Sequence, residues 1–344
     1  MINKTLSSFM DFFRLSLCHA LPVAHAALIG IIFSHGSVVA QETSQGVFVR
    51  EEFGLATITL AGSIRSGDAE IFEDVLRQQI GKGTSIRVML LHNDGGSVID
   101  ALRIGRMARA LDLWVTAGGR CYSSCAIVFA GGSERSEIFS EIGLHRPFFA
   151  TSNNTVAPSQ DEIEDMFASI EEYLKEMNVS QTVFDAMLNV SPENMLILGG
   201  EEDIFRLFGK HDPVFSEISN IDTAKQYGIS MTEFLEVEAT DFIRICEQFS
   251  SDFNQIALCG MKMREAMLWK IPQSKAESIS VYLGEAYKKC ELSEGDRDRL
   301  ASDQKRLRLL SLERLSPEYQ RQLLAHPIRE AFRDCVRSYM AQYR

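Results

Sequence analysis

Three apolar stretches of strand length alternate with three stretches of helical periodicity between residues 55 and 132, and the turns between them are short. "LATITLAG" (55–62) carries β-branched residues and stops at glycine. "SIRVMLLHN" (85–93) is continuously apolar from Val88 to Leu91, as a buried strand is, and "LWVTAGG" (113–119) is the third. Between them, "DAEIFEDVLRQQI" puts Ile71, Phe72, Val75, Leu76 and Ile80 on one helical face. "VIDALRIGRMARAL" aligns Val98, Leu102, Gly105 and Ala108, and "SCAIVFAGG" reads as a short buried helix stopped by glycine. This alternation specifies an α/β fold, a parallel sheet with right-handed crossover helices. Sites in such sheets form where strands feed loops at their carboxyl ends. The turns at 94–97 and 118–124 both lie at such ends, so they are expected to be neighbours.

The pattern then changes. "EIFSEIGLHRP" (137–147) reads as two short strands or a strand and a bend, stopped by Pro147. Beyond Thr151 the chain reads as helical. "SQDEIEDMFASIEEYLKEM" (159–177) has Ser159 as its N-cap, acidic residues in its first turn, and an apolar stripe of Ile163, Met166, Phe167, Ile170, Tyr173 and Leu174. The segments 191–209 and 219–230 read as turn-and-helix units. From Asp241 to Arg344 almost only helices are expected, punctuated at Pro272, Gly295 and Pro317.

Residues 1–40 do not read as part of the fold. Lys4 and Arg14 precede an apolar run from Ala20 to Phe33, and "SVVA" places small residues before Gln41. This is the pattern of a cleaved export signal. The alternative is an uncleaved membrane anchor, since the leader is long and holds Asp11. Either way the remainder is expected to be exported, to the periplasm or an equivalent compartment. Of seven cysteines, Cys18 would leave with the signal. The even remainder argues for disulfides, and sequence order suggests Cys121–Cys125, Cys246–Cys259 and Cys290–Cys335 among fifteen connectivities. A net charge of −12 argues against a nucleic-acid partner. No Walker A loop, G-x-G-x-x-G or H-E-x-x-H occurs, so neither a nucleotide cofactor nor a metal is expected.

The parts needed for acyl transfer are present near the strand ends. Ser124 sits where a strand becomes a helix, whose free amides and positive dipole end favour a developing anion. The amide of Cys125 and that of Gly96 in the neighbouring turn would make an oxyanion hole. His145, in a third strand-end segment, would be the base. Each has an ordinary structural explanation: a serine at a helix start is commonly an N-cap, and Gly-Gly turns are common.

Taken in order, "MLLHNDGGSVIDALRIGR", "GGRCYSSCAIVFAGG" and "EIGLHRPFF" resemble the Clp protease proteolytic-subunit superfamily, which shares its fold with crotonases. The Cys-x-Ser-Ser-Cys form with a leader resembles the exported, Clp-like proteins in particular. The resemblance covers roughly residues 47–209 and implies a Clp/crotonase-like domain over 47–235; the helical segments and two cysteine pairs beyond it read as a disulfide-stapled α-helical domain over 241–344. The resemblance implies Ser124 as nucleophile, His145 as general base, and Gly96 and Cys125 as oxyanion donors. Ser123 is set aside because the family serine directly precedes the helix's bulky residue. Two departures stand out. The family's proline is Asp94 here, an acid that would oppose an oxyanion if turned inward. The family's third member, an aspartate, matches only Glu193 or Asn194.

The reading that follows is an exported, ATP-independent serine hydrolase acting on peptides or proteins, in a chain that forms a homo-oligomer. The alternative is a catalytically weak or inactive binding or assembly protein on the same fold. A Cys121/Cys125 redox pair has three intervening residues rather than two and lacks a thioredoxin-like context. Export removes the acyl-CoA pool that crotonase chemistry requires.

Overall fold

The computed structural model describes residues 40–42, 46–52, 55–149 and 157–344. The expected export segment, apart from Ala40, lies outside the described residues. The sheet has seven strands in chain order: β1 (Ala40–Glu42), β2 (Val47–Glu52), β3 (Leu55–Ile64), β4 (Ser85–Gly96), β5 (Trp114–Tyr122), β6 (Glu134–Leu144) and β7 (Leu196–Gly199). Strands β3 to β6 are parallel, linked by α1 (Asp68–Lys82), α2 (Val98–Ala110) and α3 (Ser124–Ala130). This is the α/β architecture read from the sequence. The edges differ from it, since β1, β2 and β7 run antiparallel to their neighbours.

Burial alternates along β3, with Ala56, Ile58 and Leu60 buried and Thr57 and Thr59 only half-buried. The buried row packs on the crossover helices, in one core that includes Phe72, Met107 and Phe129. Residues 137–144 belong to the single strand β6, which a bulge interrupts, and 145–147 follow its end. There Phe139 has φ 48 and is fully exposed, while Ser140 donates its amide and hydroxyl to Glu137 Oε2 at 3.0 and 3.2 Å. After the sheet come α4 (Gln160–Glu176), closed by a Ser159–Glu162 capping box, α5 (Gln181–Asn189) and α6 (Glu201–Phe208).

The helical C-terminal region comprises α7 (Pro213–Tyr227), α8 (Met231–Glu238), α9 (Phe242–Cys246), α10 (Phe253–Leu268), α11 (Ile279–Lys289), α12 (Glu294–Arg314), α13 (Glu318–Leu324) and α14 (Pro327–Met340). Two compact units result, with boundaries other than 235 and 241. The sheet unit takes the described residues up to Ser216 together with Ala301–Leu323, and the helical unit takes Glu217–Leu300 and Leu324–Arg344. Lys305 donates to Gly81 O at 3.0 Å, Gln320 donates to Ala110 O at 3.1 Å, and Leu312 enters the sheet core. Helical periodicity announces a helix but not the core it serves. The helical unit packs around the fully buried Trp269, with Phe234, Leu283 and Phe332. Three disulfides join Cys121 to Cys125, Cys246 to Cys259 and Cys290 to Cys335. No described helix is long and apolar enough to cross a membrane.

Candidate active site

Strands β4, β5 and β6 end side by side, and the candidate residues follow those ends. Register pairs Tyr122 with Gly143, so the serine turn after β5 lies beside the segment from which His145 emerges. The amide of Ser123 donates to Gly143 O at 2.8 Å and fastens the two ends together.

The two serines differ sharply. Ser124 begins α3 and is buried: it is 1% exposed, and its hydroxyl has no hydrogen-bond partner. Ser123 is only partly buried and occupies the bend itself, with φ 56 and ψ −125. A left-handed backbone at a residue with a Cβ costs on the order of 1–3 kcal/mol and persists only where its surroundings impose it. A strained strand-to-helix bend of this kind lifts a hydroxyl out of a sheet as a nucleophile elbow does. The hydroxyl sequence reasoning chose is therefore the buried one, and the hydroxyl it set aside occupies the bend. With Ser123 at the bend, the first-turn amides that follow it are those of Ser124 and Cys125, and neither has a carbonyl one turn back within the helix.

The neighbouring glycines also divide their tasks. A Cβ on Gly95 (φ +88) would lie 2.6 Å from Tyr122 O, 2.7 Å from Ser123 Cβ and 3.0 Å from Ser124 N. Gly95 therefore lets the β4 turn approach the serine bend. Gly96, the residue expected in that place, turns its Cα to β3, where a Cβ would lie 2.0 Å from Ile64 O. The Gly95 amide is already engaged with Asn93 Oδ1 at 3.0 Å. Asp94 is half-exposed and pairs with Arg120 at 3.5 Å, so its charge is turned outward and partnered.

His145 is 7% exposed, and its Nδ1 lies 2.9 Å from Arg146 O. A carbonyl can only accept, so Nδ1 is the donor in this bond, and Nε2 is the ring nitrogen left to act as a base. No hydrogen bond joins either serine hydroxyl to His145, and Arg146 O is the ring's hydrogen-bond partner. The two residues expected as third member do not reach the ring. Asn194 is exposed and donates to Ser191 Oγ at 2.9 Å. Glu193 is exposed as well, and its carboxyl is held below the usual range by its own backbone amide and by Ser191.

Sequence reasoning missed Tyr122. Its ring edge and the Met195 thioether crowd the bare Cα of Gly143, at 2.6 and 2.7 Å from where a Cβ would stand. Its hydroxyl donates to Glu141 at 2.5 Å, and that bond chiefly raises the phenol's pKa. Cys121 and Cys125 are fully buried as well as bonded, which leaves a redox partner no approach to the sulfurs. Among the described residues, no group of three or more His, Cys, Asp or Glu is placed to hold a metal ion.

No family model and no curated protein matches the chain. Among solved structures, the chain is similar to a mutant form of the 1510-N membrane-bound stomatin-specific protease, at 14% identity over 45% of this chain and 76% of that one, with a TM-score of 0.35. It is also similar to ClpP1 from Listeria monocytogenes, at 15% identity over 45% of this chain and 88% of that one, with a TM-score of 0.36.

Proposed function

We propose that the ends of β4, β5 and β6 form the active site of a Clp-like serine hydrolase acting on peptides or proteins without ATP. Ser123 Oγ attacks the scissile carbonyl and His145 Nε2 takes its proton. The amides of Ser124 and Cys125 receive the oxyanion. The imidazolium then protonates the leaving amine, and water, deprotonated by the same nitrogen, releases the acyl group. Arg146 O takes the orienting role of the absent aspartate. It holds the tautomer but carries no charge to stabilise the imidazolium, so turnover is slower than in a full triad. The observation that supports this reading is the left-handed, partly buried Ser123 at a strand–helix junction beside the strand end that bears His145.

A fluorophosphonate probe tests it. Labelling is expected in the wild type and in Ser124→Ala, and is expected to vanish in Ser123→Ala. His145→Ala should lower the rate by about a hundredfold or more. Loss in Ser124→Ala with retention in Ser123→Ala would return the nucleophile to Ser124.

One observation favours a second reading, a binding or assembly protein on the same fold: no hydrogen bond joins a serine to His145. A wild type that resists the probe but retains a peptide ligand would select it. Homo-oligomerisation belongs to the proposal and is supported by exposed Ile138, Phe139 and Ile197 on β6 and β7; size exclusion reads it directly. Export belongs to it too, supported by the leader and the disulfides, and the N-terminus of protein recovered from the periplasm checks it.

A further inference from the structure

The bond Cys121–Cys125 spans the proposed nucleophile. One sulfur belongs to β5, two residues before Ser123, and the other to the first turn of α3, two residues after it. The described chain has five other non-glycine residues at positive φ, namely Asp112, Phe139, Asn178, Lys270 and Leu315, and none lies within so tight a cross-link. Around Ser123 the other restraints are the bond from its amide to Gly143 O, the bond its carbonyl accepts from the Ala126 amide, and the close approach of Gly95. The cross-link holds the Cα atoms of residues 121 and 125 at 5.1 Å. An extended run of four residues would span about 13 Å. The segment between the cysteines must therefore double back, and the doubling back falls at Ser123.

Global stabilisation does not account for this placement. The stabilisation a disulfide gives by closing a loop grows with loop length, and the three bonds close separations of 4, 13 and 45 residues. The shortest of them surrounds the site.

We propose that Cys121 and Cys125 are positioning residues of the hydrolase: their disulfide holds Ser123 in its left-handed bend and so aims the hydroxyl and the amides behind it. The effect on rate rests on the serine-hydrolase reading above; the effect on the backbone does not.

The test compares full-length wild type, Cys121→Ala/Cys125→Ala, and a control, Cys246→Ala/Cys259→Ala. Fluorophosphonate labelling is resolved into probe affinity and maximal rate, and amide hydrogen exchange is followed over residues 123–126. In the first variant the maximal rate should fall about tenfold or more while affinity stays within about twofold. Exchange over 123–126 should accelerate about tenfold or more, with thermal unfolding still cooperative. The control should change in neither respect. A folded variant with unchanged maximal rate and exchange overturns the proposal. If the double alanine does not fold, Cys121→Val/Cys125→Ala restores volume. A wild type that is not labelled at all removes the hydrolase reading, and exchange over 123–126 then decides alone: unchanged exchange overturns the positioning role and accelerated exchange sustains it.

Discussion

The Ser123 amide donates to Gly143 O at 2.8 Å, and His145 follows Gly143 by two residues. The separation of the proposed nucleophile and base is thus set through one glycine, whose bare Cα also admits the Tyr122 ring and the Met195 thioether. Gly143→Ala would drive a Cβ into both and push the β5 and β6 ends apart. Overpacking of this kind costs about 1–3 kcal/mol. A lower melting temperature and a probe-labelling rate reduced about tenfold are expected. Gly143→Ala/Met195→Ala should recover part of the stability, because one of the two obstructions is gone.

Gly95→Ala should be more damaging to labelling than to folding. Its Cβ would meet backbone at Tyr122 O and Ser124 N and the Ser123 side chain, none of which can give way without moving the bend. Gly62 offers the control, since its φ of +81 is similar but a Cβ there would meet nothing within 4 Å. Both alanines incur a left-handed cost of about 1 kcal/mol. Only Gly95→Ala should abolish labelling.

The parallel core was legible because its signals are local. Strands β3 to β5 and helices α1 to α3 are each a short apolar or amphipathic run bounded by a turn. Strand β7 was not, because three apolar residues, Leu196 to Leu198, between Asn194-Met195 and two glycines fit a strand or a buried helix turn equally. The site was legible as a neighbourhood and less so residue by residue. Two adjacent serines are equivalent in a sequence; only the backbone at Ser123 and the burial of Ser124 separate them. Gly95 and Gly96 are likewise distinguished by what each Cα faces. The outward turn of Asp94 depends on Arg120, which reaches it from the adjacent strand. The placement of residues 301–323 on the sheet unit depends on contacts with Gly81 and Ala110, more than 200 positions earlier.

Helix α3 is anchored from behind by Tyr173, whose hydroxyl donates to Ile127 O at 2.8 Å. That hydroxyl lies over Gly105 of α2, where a Cβ would fall 1.8 Å from the oxygen. Tyr173→Phe leaves a buried carbonyl short of a donor and should cost about 1–2 kcal/mol in denaturant unfolding. Gly105→Ala should cost about 1–3 kcal/mol by overpacking. The double variant should cost less than the sum by about 1 kcal/mol, since phenylalanine lacks the atom that collides. Strict additivity would mean that the two residues do not meet.

The helical unit carries two glutamates whose protons oppose each other. The hydrogen bond from Lys270 at 2.7 Å, with those from Ser230, brings Glu233 down to about 2. Its contribution is present above the ordinary carboxylate pKa of 4.5 and is lost as pH falls from there toward 2. Burial raises Glu265, against the opposing pull of Arg264 and of the Tyr227 hydroxyl at 2.8 Å. The native state therefore holds the Glu265 proton more firmly than the unfolded chain does. Stability is lost as pH rises from 4.5 through the raised value. Glu233→Gln should flatten the acid limb of the stability profile, and Glu265→Gln should flatten the decline above 4.5 and raise stability at neutral pH. Tyr227 can still donate to the amide oxygen of that glutamine. Trp269 fluorescence during urea unfolding, in a Trp114→Phe background, reports the helical unit. An unchanged profile in Glu265→Gln would show that its carboxyl titrates alike in the folded and unfolded chain.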